Sequence, residues 1–222
     1  MSGLGEHVVY DVSTPVTIPA MESALVQIAK VSIHGEPVLV YDPKENEVNA
    51  LRCVHVHNTT DMVLAPGAIS VLQGGRFVGQ TDFTPMIPGD DTLVPYGEDS
   101  TVSIMRSKPE FKQRDGIISV TSLRSSSGAS AERTVGCRIT HKRTITTVYT
   151  VVNNSGSRPV PKFYIDHSAS SAHNGYRITT TEGCVKAVTG FARFELSLAP
   201  SEEKNLEVKE EATYDVIVSS PS

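Results

Sequence analysis

Period-two alternation of β-branched residues is the feature that most constrains this chain. The segment Thr144–Val152 reads TITTVYTVV, and a strand places alternate side chains on opposite faces. One face carries Ile145, Thr147, Tyr149 and Val151. The turn-forming run Asn153–Gly156 ends the pattern. A second strand is predicted at Val160–Ile165, where the prolines at 159 and 161 suit an edge strand or a strand start.

A tight hairpin is predicted in the first part of the chain. Ile69–Gln73 and Arg76–Gln80 are both strand-like and are separated by only Gly74 and Gly75. Two glycines meet the positive-φ requirement of a two-residue hairpin turn. Gly79 lies in the same hairpin, and we also assign it a role in the turn.

Further strands complete an all-β pattern. Phe194–Leu198 and Leu206–Val208 are predicted to pair with each other. Ala20–Ile28 is the only helix-like stretch; it is short, so we expect at most a turn there, followed by strand-like Lys30–His34. Short strands without intervening helices favour an antiparallel β-sandwich or two packed β-rich subdomains.

The domain organisation is predicted from a change in composition. The chain has 222 residues, enough for one large or two small domains. A polar, charged stretch at 107–116 separates an N-terminal β-rich half, 1–106, from a C-terminal β-rich half, 117–222. The small polar segment 124–133 is either a second linker or a hairpin tip. No internal repeat is evident.

Charge and composition argue against some classes of partner. The net charge is −5, aromatic residues make up 6% and tryptophan is absent. A nucleic-acid surface normally shows a basic excess and stacking aromatics, so we expect no nucleic-acid partner. No stretch reaches the roughly 18–20 apolar residues of a membrane span.

The first residues and the cysteines predict a cytoplasmic protein. The N-terminus lacks the basic and apolar regions of a secretory signal. Cys53, Cys137 and Cys184 are an odd number and show no metal-knuckle spacing. We therefore expect free thiols in a reducing compartment, although one disulfide stays possible.

A series of turn motifs is spread along the chain. They are Asn58-Thr59-Thr60, Leu64-Ala65-Pro66-Gly67, Gly75 to Gly79, Ile87-Pro88-Gly89, Gly97-Glu98-Asp99 and the later run Thr147 to Asn154. Together with the entry Pro15–Val26, they resemble the C-terminal domain of mucoidy-inhibitor-like proteins, a domain family of unknown function. The resemblance covers about residues 14–215. It implies a β-rich module and brings no catalytic residues with it, because its motifs specify backbone geometry.

His55 and His57 are the candidate metal ligands. Two positions apart on a strand, they share a face at about 6.5–7 Å, close enough to bind one metal ion. Asp61 follows, which is similar to the first metal motif of cupin barrels, but Pro88-Gly89 is not followed by the histidine of the second motif. Val54 and Val56 form the apolar side, so the alternative is a pair of exposed histidines beside Cys53 on a solvated face.

Other reactive residues do not form a recognisable catalytic set. Asp166-His167-Ser168 and Ser171-Ala172-His173 place hydroxyls beside histidines, but strand neighbours point to opposite faces. The acid pairs 90–91, 202–203 and 210–211 are interpreted as solvated turns. A basic cluster, His141, Lys142 and Arg143 with Arg133 and Arg138, is interpreted as a solvated strand entry, or else as a contact for phosphate or an acidic partner.

Three functions remain open from the sequence. The leading hypothesis is a non-enzymatic β-sandwich module, without cofactor, that acts in protein–protein interaction or as a structural part of a larger assembly. It would bind a protein partner or self-assemble, because strand edges pair readily with other chains. The alternatives are a metal-binding β-barrel protein or enzyme using His55 and His57, and a carbohydrate-binding or small-ligand-binding β-sandwich.

Overall fold

Alternating sequences of the predicted kind form strands along most of the chain. The computed structural model describes residues 15–27, 30–107, 113–125 and 133–219. Its strands are His34–Tyr41 (β1), Ala50–His57 (β2), Gly67–Gln73 (β3), Arg76–Phe83 (β4), Asp91–Asp99 (β5), Val102–Arg106 (β6), Gln113–Ser125 (β7), Arg133–Asn153 (β8), Val160–Ser168 (β9), Arg177–Ile178 (β10), Cys184–Val188 (β11), Phe191–Leu198 (β12) and Glu203–Ser219 (β13). Helical structure in the described residues is limited to one 3-10 turn at Ala172–Asn174. The prediction of an all-β fold is confirmed.

The strands form three sheets. The hydrogen-bonded order is β11-β12-β9-β1-β2-β5 in the largest sheet. The second sheet has the order β10-β13-β8-β6, with β7 also paired to β8, and β3-β4 form a two-stranded sheet. Most assigned pairs are antiparallel, but β1 and β9 run parallel, with Leu39 opposite Phe163.

No helix among the described residues is long and apolar enough to cross a membrane.

The chain divides into two compact units, each made from two segments. Unit 1 comprises the described residues of 1–37 and 52–97, and unit 2 those of 38–51 and 98–222. These units do not coincide with the predicted halves, because unit 2 takes 38–51 and 98–106 from the first half. Within the predicted connecting segment 107–116, residues 108–112 lie outside the described residues and Gln113 already begins β7.

The core of unit 2 lies between two sheets. Buried side chains of β9 and β12, such as Phe163 and Phe194, pack with those of β8 and β13, such as Tyr149 and Val208. All four are at most 1% exposed. This is the arrangement of a β-sandwich, in which the inner faces of two sheets interdigitate.

The core of unit 1 is smaller. Val56 of β2, Val94 of β5 and Met86 are buried, and apolar residues of the β3-β4 hairpin, including Ile69 and Val71, pack against them. Gly74 and Gly75 have φ of 57° and 77°, which confirms the predicted hairpin turn.

Gly79 does not take part in that turn, so this part of the prediction is wrong. A Cβ built on Gly79 would collide with the backbone carbonyl of Tyr96. Gly79 is therefore needed because β4 passes very close to β5 at this point.

Several predicted segments differ from the structure in their pairing. Phe194–Leu198 and Leu206–Val208 are both strands but lie in different sheets, since β12 pairs with β9 and β13 with β8. Residues 30–33 are irregular, and β1 begins only at His34. The segment Ala20–Ile28 contains a turn at Ala20 and Met21, as predicted, although Ile28 lies outside the described residues. Val160 starts β9, between the two prolines, so the strand-start interpretation is confirmed.

One turn design occurs in both units. Asn58 follows β2, is 1% exposed, and donates from Nδ2 to the carbonyls of Met62 (2.8 Å) and Met86 (3.2 Å). Asn153 ends β8, is fully buried, and donates from Nδ2 to the carbonyls of Arg158 (2.8 Å) and Ala199 (2.9 Å).

The two turns facing these asparagines also match. In Ile87–Asp90, the Asp90 carboxylate accepts from the Ile87 N–H at 3.2 Å, and in Ala199–Glu202, the Glu202 carboxylate accepts from the Ala199 N–H at 2.6 Å. The third residue of each turn has positive φ, 88° at Gly89 and 57° at Ser201. The same hydrogen-bonding pattern therefore occurs once in unit 1 and once in unit 2.

Candidate functional site

The predicted metal ligands lie on β2 in unit 1. The His55 and His57 rings share a face with their centroids 5.2 Å apart. His55 Nε2 is 2.8 Å from Asp91 Oδ2, and Nδ1 is 3.8 Å from Glu36 Oε1. Among the described residues, no three histidine, cysteine or carboxylate side chains are grouped so that they could hold one metal ion.

The surroundings of these histidines differ from the predicted solvated face. Val56 is buried on the apolar side, as predicted, and His57 is exposed. However, Cys53 is only 3% exposed, and the His55 side chain is 17% exposed, with the carboxylates of Asp91 and Glu36 and the His57 ring beside it. All three cysteines are thiols, in agreement with the expectation, and Cys137 and Cys184 are half-buried.

The serine–histidine neighbours point apart, as the alternation predicts. On β9, the Asp166 carboxylate accepts two hydrogen bonds from Arg193, at 2.6 and 2.7 Å. The neighbouring His167 points the opposite way, into the interior. His173 stacks on the Tyr214 ring at 3.8 Å between centroids. Neither histidine hydrogen-bonds a serine hydroxyl among the described residues.

The basic cluster on β8 is neutralised by acids on the neighbouring strands. Lys142 lies 2.8 Å from Glu211 of β13. Arg143 donates two hydrogen bonds to Asp115 of β7, at 2.5 and 2.8 Å, and they lower the pKa of that carboxyl. Arg138 lies 3.7 Å from Asp215. The side chain of Arg133 lies outside the described part.

The same three strands, β7, β8 and β13, extend together beyond the buried part of unit 2. β8 has 21 residues and β13 has 17, whereas strands usually run about 3–10 residues. Buried residues end at Ile145 of β8 and Ala212 of β13. We call the part beyond them, 115–123, 134–143 and 213–219, the ribbon.

One face of the ribbon is largely apolar and partly exposed. Ile139 lies directly opposite Val120 of β7 and Val216 of β13. Val120 is 63% exposed and Val216 is 39% exposed. The same face continues with Ile117, Cys137 and Val218, and it also carries Ser122 opposite Cys137 and the rings of His141 and Tyr214 level with Ile117. An exposed apolar face of this kind marks an interaction surface more often than an isolated apolar side chain does.

The other face of the ribbon is mainly polar. Thr140 lies opposite Ser119 and Asp215, and donates to the Asp215 carboxylate at 2.8 Å. Ile217 is an exception on this face, opposite Arg138. The outer edges of β7 and of β13 after Glu211 have no strand partner among the described residues.

A buried polar cluster in unit 2 was missed by the sequence interpretation. Tyr149, His167 and Glu210 are 1%, 4% and 4% exposed. The acid pair 210–211 was interpreted as a solvated turn; this is wrong, because Glu210 lies in β13 on the inward face. The alternation pattern of the sequence contained this information. Leu206, Val208 and Glu210 lie on one face of the strand, so the acidic side chain of Glu210 occupies a core-facing position.

The three side chains form one hydrogen-bonded chain. His167 Nε2 is 3.1 Å from Glu210 Oε1, and His167 Nδ1 is 2.7 Å from the Tyr149 hydroxyl. Glu210 Oε2 also accepts from the Ser170 N–H at 2.7 Å. Because the carboxylate is an acceptor, we assign the proton to Nε2 and let the phenol O–H donate to Nδ1. Burial raises the pKa of Tyr149, so the phenol is neutral.

A cavity of about 300 Å³ opens beside this cluster within unit 2. Its wall is formed by Pro43, Lys44, Arg106, Ile145, Thr147, Tyr149, His167, Ser168, Ser170 and Glu210.

Comparisons of the chain with protein-family models, with curated proteins and with solved structures give no match.

Proposed function

We propose that this protein is a non-enzymatic β module that associates with a second copy of itself through the apolar face of the ribbon. The observation that carries the proposal is the apolar row Val120, Ile139 and Val216, which crosses all three strands at one level, with both valines exposed and Ile139 half-buried. A row of this kind is suited to packing against another sheet.

Charge compensation supports a second copy as the partner. The cations of β8 are matched by Glu211, Asp115 and Asp215 on the adjacent strands. The ribbon therefore has little net charge to repel an identical ribbon or to select a charged partner. Two apolar sheet faces pack at a separation of about 10 Å, as the two layers of a sandwich do.

The size of the ribbon predicts a weak complex. Three strands at a spacing of about 4.8 Å and on average about 9 residues long present roughly 400 Å² per copy. Two copies would bury about 800 Å², which is below the roughly 1,200 Å² at which stable specific interfaces begin. We therefore expect a dimer whose population depends strongly on protein concentration.

The test uses two substitutions at adjacent positions of β13. Val216→Glu places a charge on the apolar face, whereas Ile217→Glu places the same charge on the polar face, opposite Arg138. Sedimentation equilibrium over a wide concentration range should show dimer for the wild type and for Ile217→Glu, and monomer for Val216→Glu. Far-UV circular dichroism establishes that all three proteins are folded.

Two results would contradict the proposal. One is a wild-type protein that is monomeric at every concentration. The other is a pair of variants with equal dissociation constants, because the apolar face would then have no special role.

We also propose that the chain belongs with the C-terminal domains of mucoidy-inhibitor-like proteins. Support comes from the motifs that carry the resemblance: Asn58, Gly74-Gly75 and Pro88-Gly89 all lie at turns.

Metal binding by His55 and His57 stays a prediction. If the pair binds zinc, equimolar zinc raises the Tm of the wild type and not that of His57→Ala.

A further inference from the structure

The cavity beside Tyr149, His167 and Glu210 differs from the ribbon in the ion pairing of its cations. In the ribbon, cations are matched by carboxylates. At the cavity, the side chains of Lys44 and Arg106 are exposed, and no described carboxylate forms an ion pair with either of them.

Arg106 is held in place at the cavity wall. It ends β6 and lies directly opposite Tyr149 of β8. Its guanidinium also interacts with the Tyr149 hydroxyl, which partly offsets the effect of burial on the pKa of that phenol. A guanidinium has five N–H donors, so an interaction with one phenol leaves donors available for a ligand.

Thr147 supplies an independent sign of a binding site. It is 1% exposed, lines the cavity, and its hydroxyl has no hydrogen-bond partner among the described residues. Buried polar groups are nearly always paired, so an unpaired one needs an explanation. A cavity that is completed by a ligand provides one.

The charge of Glu210 does not prevent an anion from binding. Its two oxygens already accept from His167 and from the Ser170 N–H. Hydrogen bonds do not cancel the formal charge of Glu210, but the wall carries two cations, Lys44 and Arg106, against this one carboxylate, so the lining is net positive. The hydroxyls of Ser168 and Ser170 add neutral polar contacts.

We propose that this cavity binds a small organic oxyanion, a carboxylate or phosphate ester, with the charged group at Arg106 and Lys44 and the body against Tyr149 and Thr147. A volume near 300 Å³ has room for roughly ten non-hydrogen atoms, since one water molecule takes ~30 Å³. It lies at the small end of the range for ligand pockets.

The test compares three compounds with one carbon skeleton: glycerate, glycerol 3-phosphate and glycerol. Thermal shift and titration calorimetry on the whole chain should show binding of at least one of the two anions and no binding of glycerol. Whichever anion binds more tightly identifies the oxyanion. Arg106→Gln should weaken its binding at least tenfold, because a charge-assisted hydrogen bond is lost.

Two further variants separate a site from a general charge effect. Lys44→Gln should weaken anion binding at an exposed position where folding is not at risk. Arg138→Gln removes a cation of the ribbon and should leave binding unchanged. The proposal is overturned if neither anion binds more tightly than glycerol, or if Arg138→Gln weakens binding as much as Arg106→Gln and Lys44→Gln do.

Discussion

The buried amide of Asn153 is expected to be a major source of stability in unit 2. Its side chain connects the end of β8 to two other parts of the chain, through the carbonyls of Arg158 and Ala199, and its Oδ1 accepts from the Ser155 N–H at 3.1 Å. Asn153→Ala leaves all three partners without the amide. Each such loss costs about 1 kcal/mol at a partly buried position, so we expect destabilisation of about 3 kcal/mol.

The neighbouring residue is a matched control. Asn154 is exposed and its amide makes one hydrogen bond, to Ser103 Oγ at 3.2 Å. Asn154→Ala should cost about 0.5 kcal/mol or less, since exposed groups regain their hydrogen bonds from water. Both substitutions remove the same atoms from adjacent positions, so their difference isolates the effect of the buried contacts.

Urea unfolding followed by far-UV circular dichroism measures this difference. With an m-value of about 2 kcal/mol/M, a loss of about 3 kcal/mol lowers the midpoint by roughly 1.5 M. If the midpoint of Asn153→Ala lies within about 0.5 M of that of Asn154→Ala, the reasoning is refuted. Asn58→Ala makes the corresponding test for unit 1, where the amide has the same two kinds of carbonyl partner.

Three other predictions follow from single contacts. Gly79→Ala should destabilise unit 1 by at least about 2 kcal/mol in urea unfolding, because the new Cβ collides with the Tyr96 backbone. Thr147→Val should raise the stability of the ligand-free protein by about 1 kcal/mol by the same method, because it removes an unpaired buried hydroxyl without changing the volume. The pKa of Asp115 is lowered by Arg143, so this pair stabilises above the ordinary pKa of the carboxyl and its effect is lost as pH falls through the lowered pKa. Asp115→Asn should therefore reduce the acid sensitivity of the Tm between about pH 2 and pH 6, and an unchanged profile would contradict this.

Local alternation was sufficient to predict where many strands lie. Thr144–Val152, Val160–Ile165 and the Gly74-Gly75 hairpin were all found, because the two-residue period and the positive φ of turn glycines are properties of short segments. Pairing was not predictable in the same way. Phe194–Leu198 and Leu206–Val208 are close in sequence, yet the turn between them takes the chain from one sheet to the other.

The buried cluster shows what a stricter use of alternation would have revealed. His167 shares its face with Phe163 and Ile165, and Glu210 shares its face with Leu206 and Val208. A titratable residue at a core-facing position must find a partner, so each one predicts another nearby. That they pair with each other depends on the packing of β9 against β13, which local pattern does not encode.

The same turn can occur in both units without an evident sequence repeat. Only a few features are required in each copy: an asparagine at or directly after the end of a strand, a proline turn with one positive-φ residue, and an acid that accepts from the first residue of that turn. Gly89 in one copy is replaced by Ser201 in the other, and Asp90 by Glu202, because φ and an acceptor are what the turn needs. Each unit therefore depends on its own asparagine, and the substitutions at Asn58 and at Asn153 should destabilise separate parts of the protein.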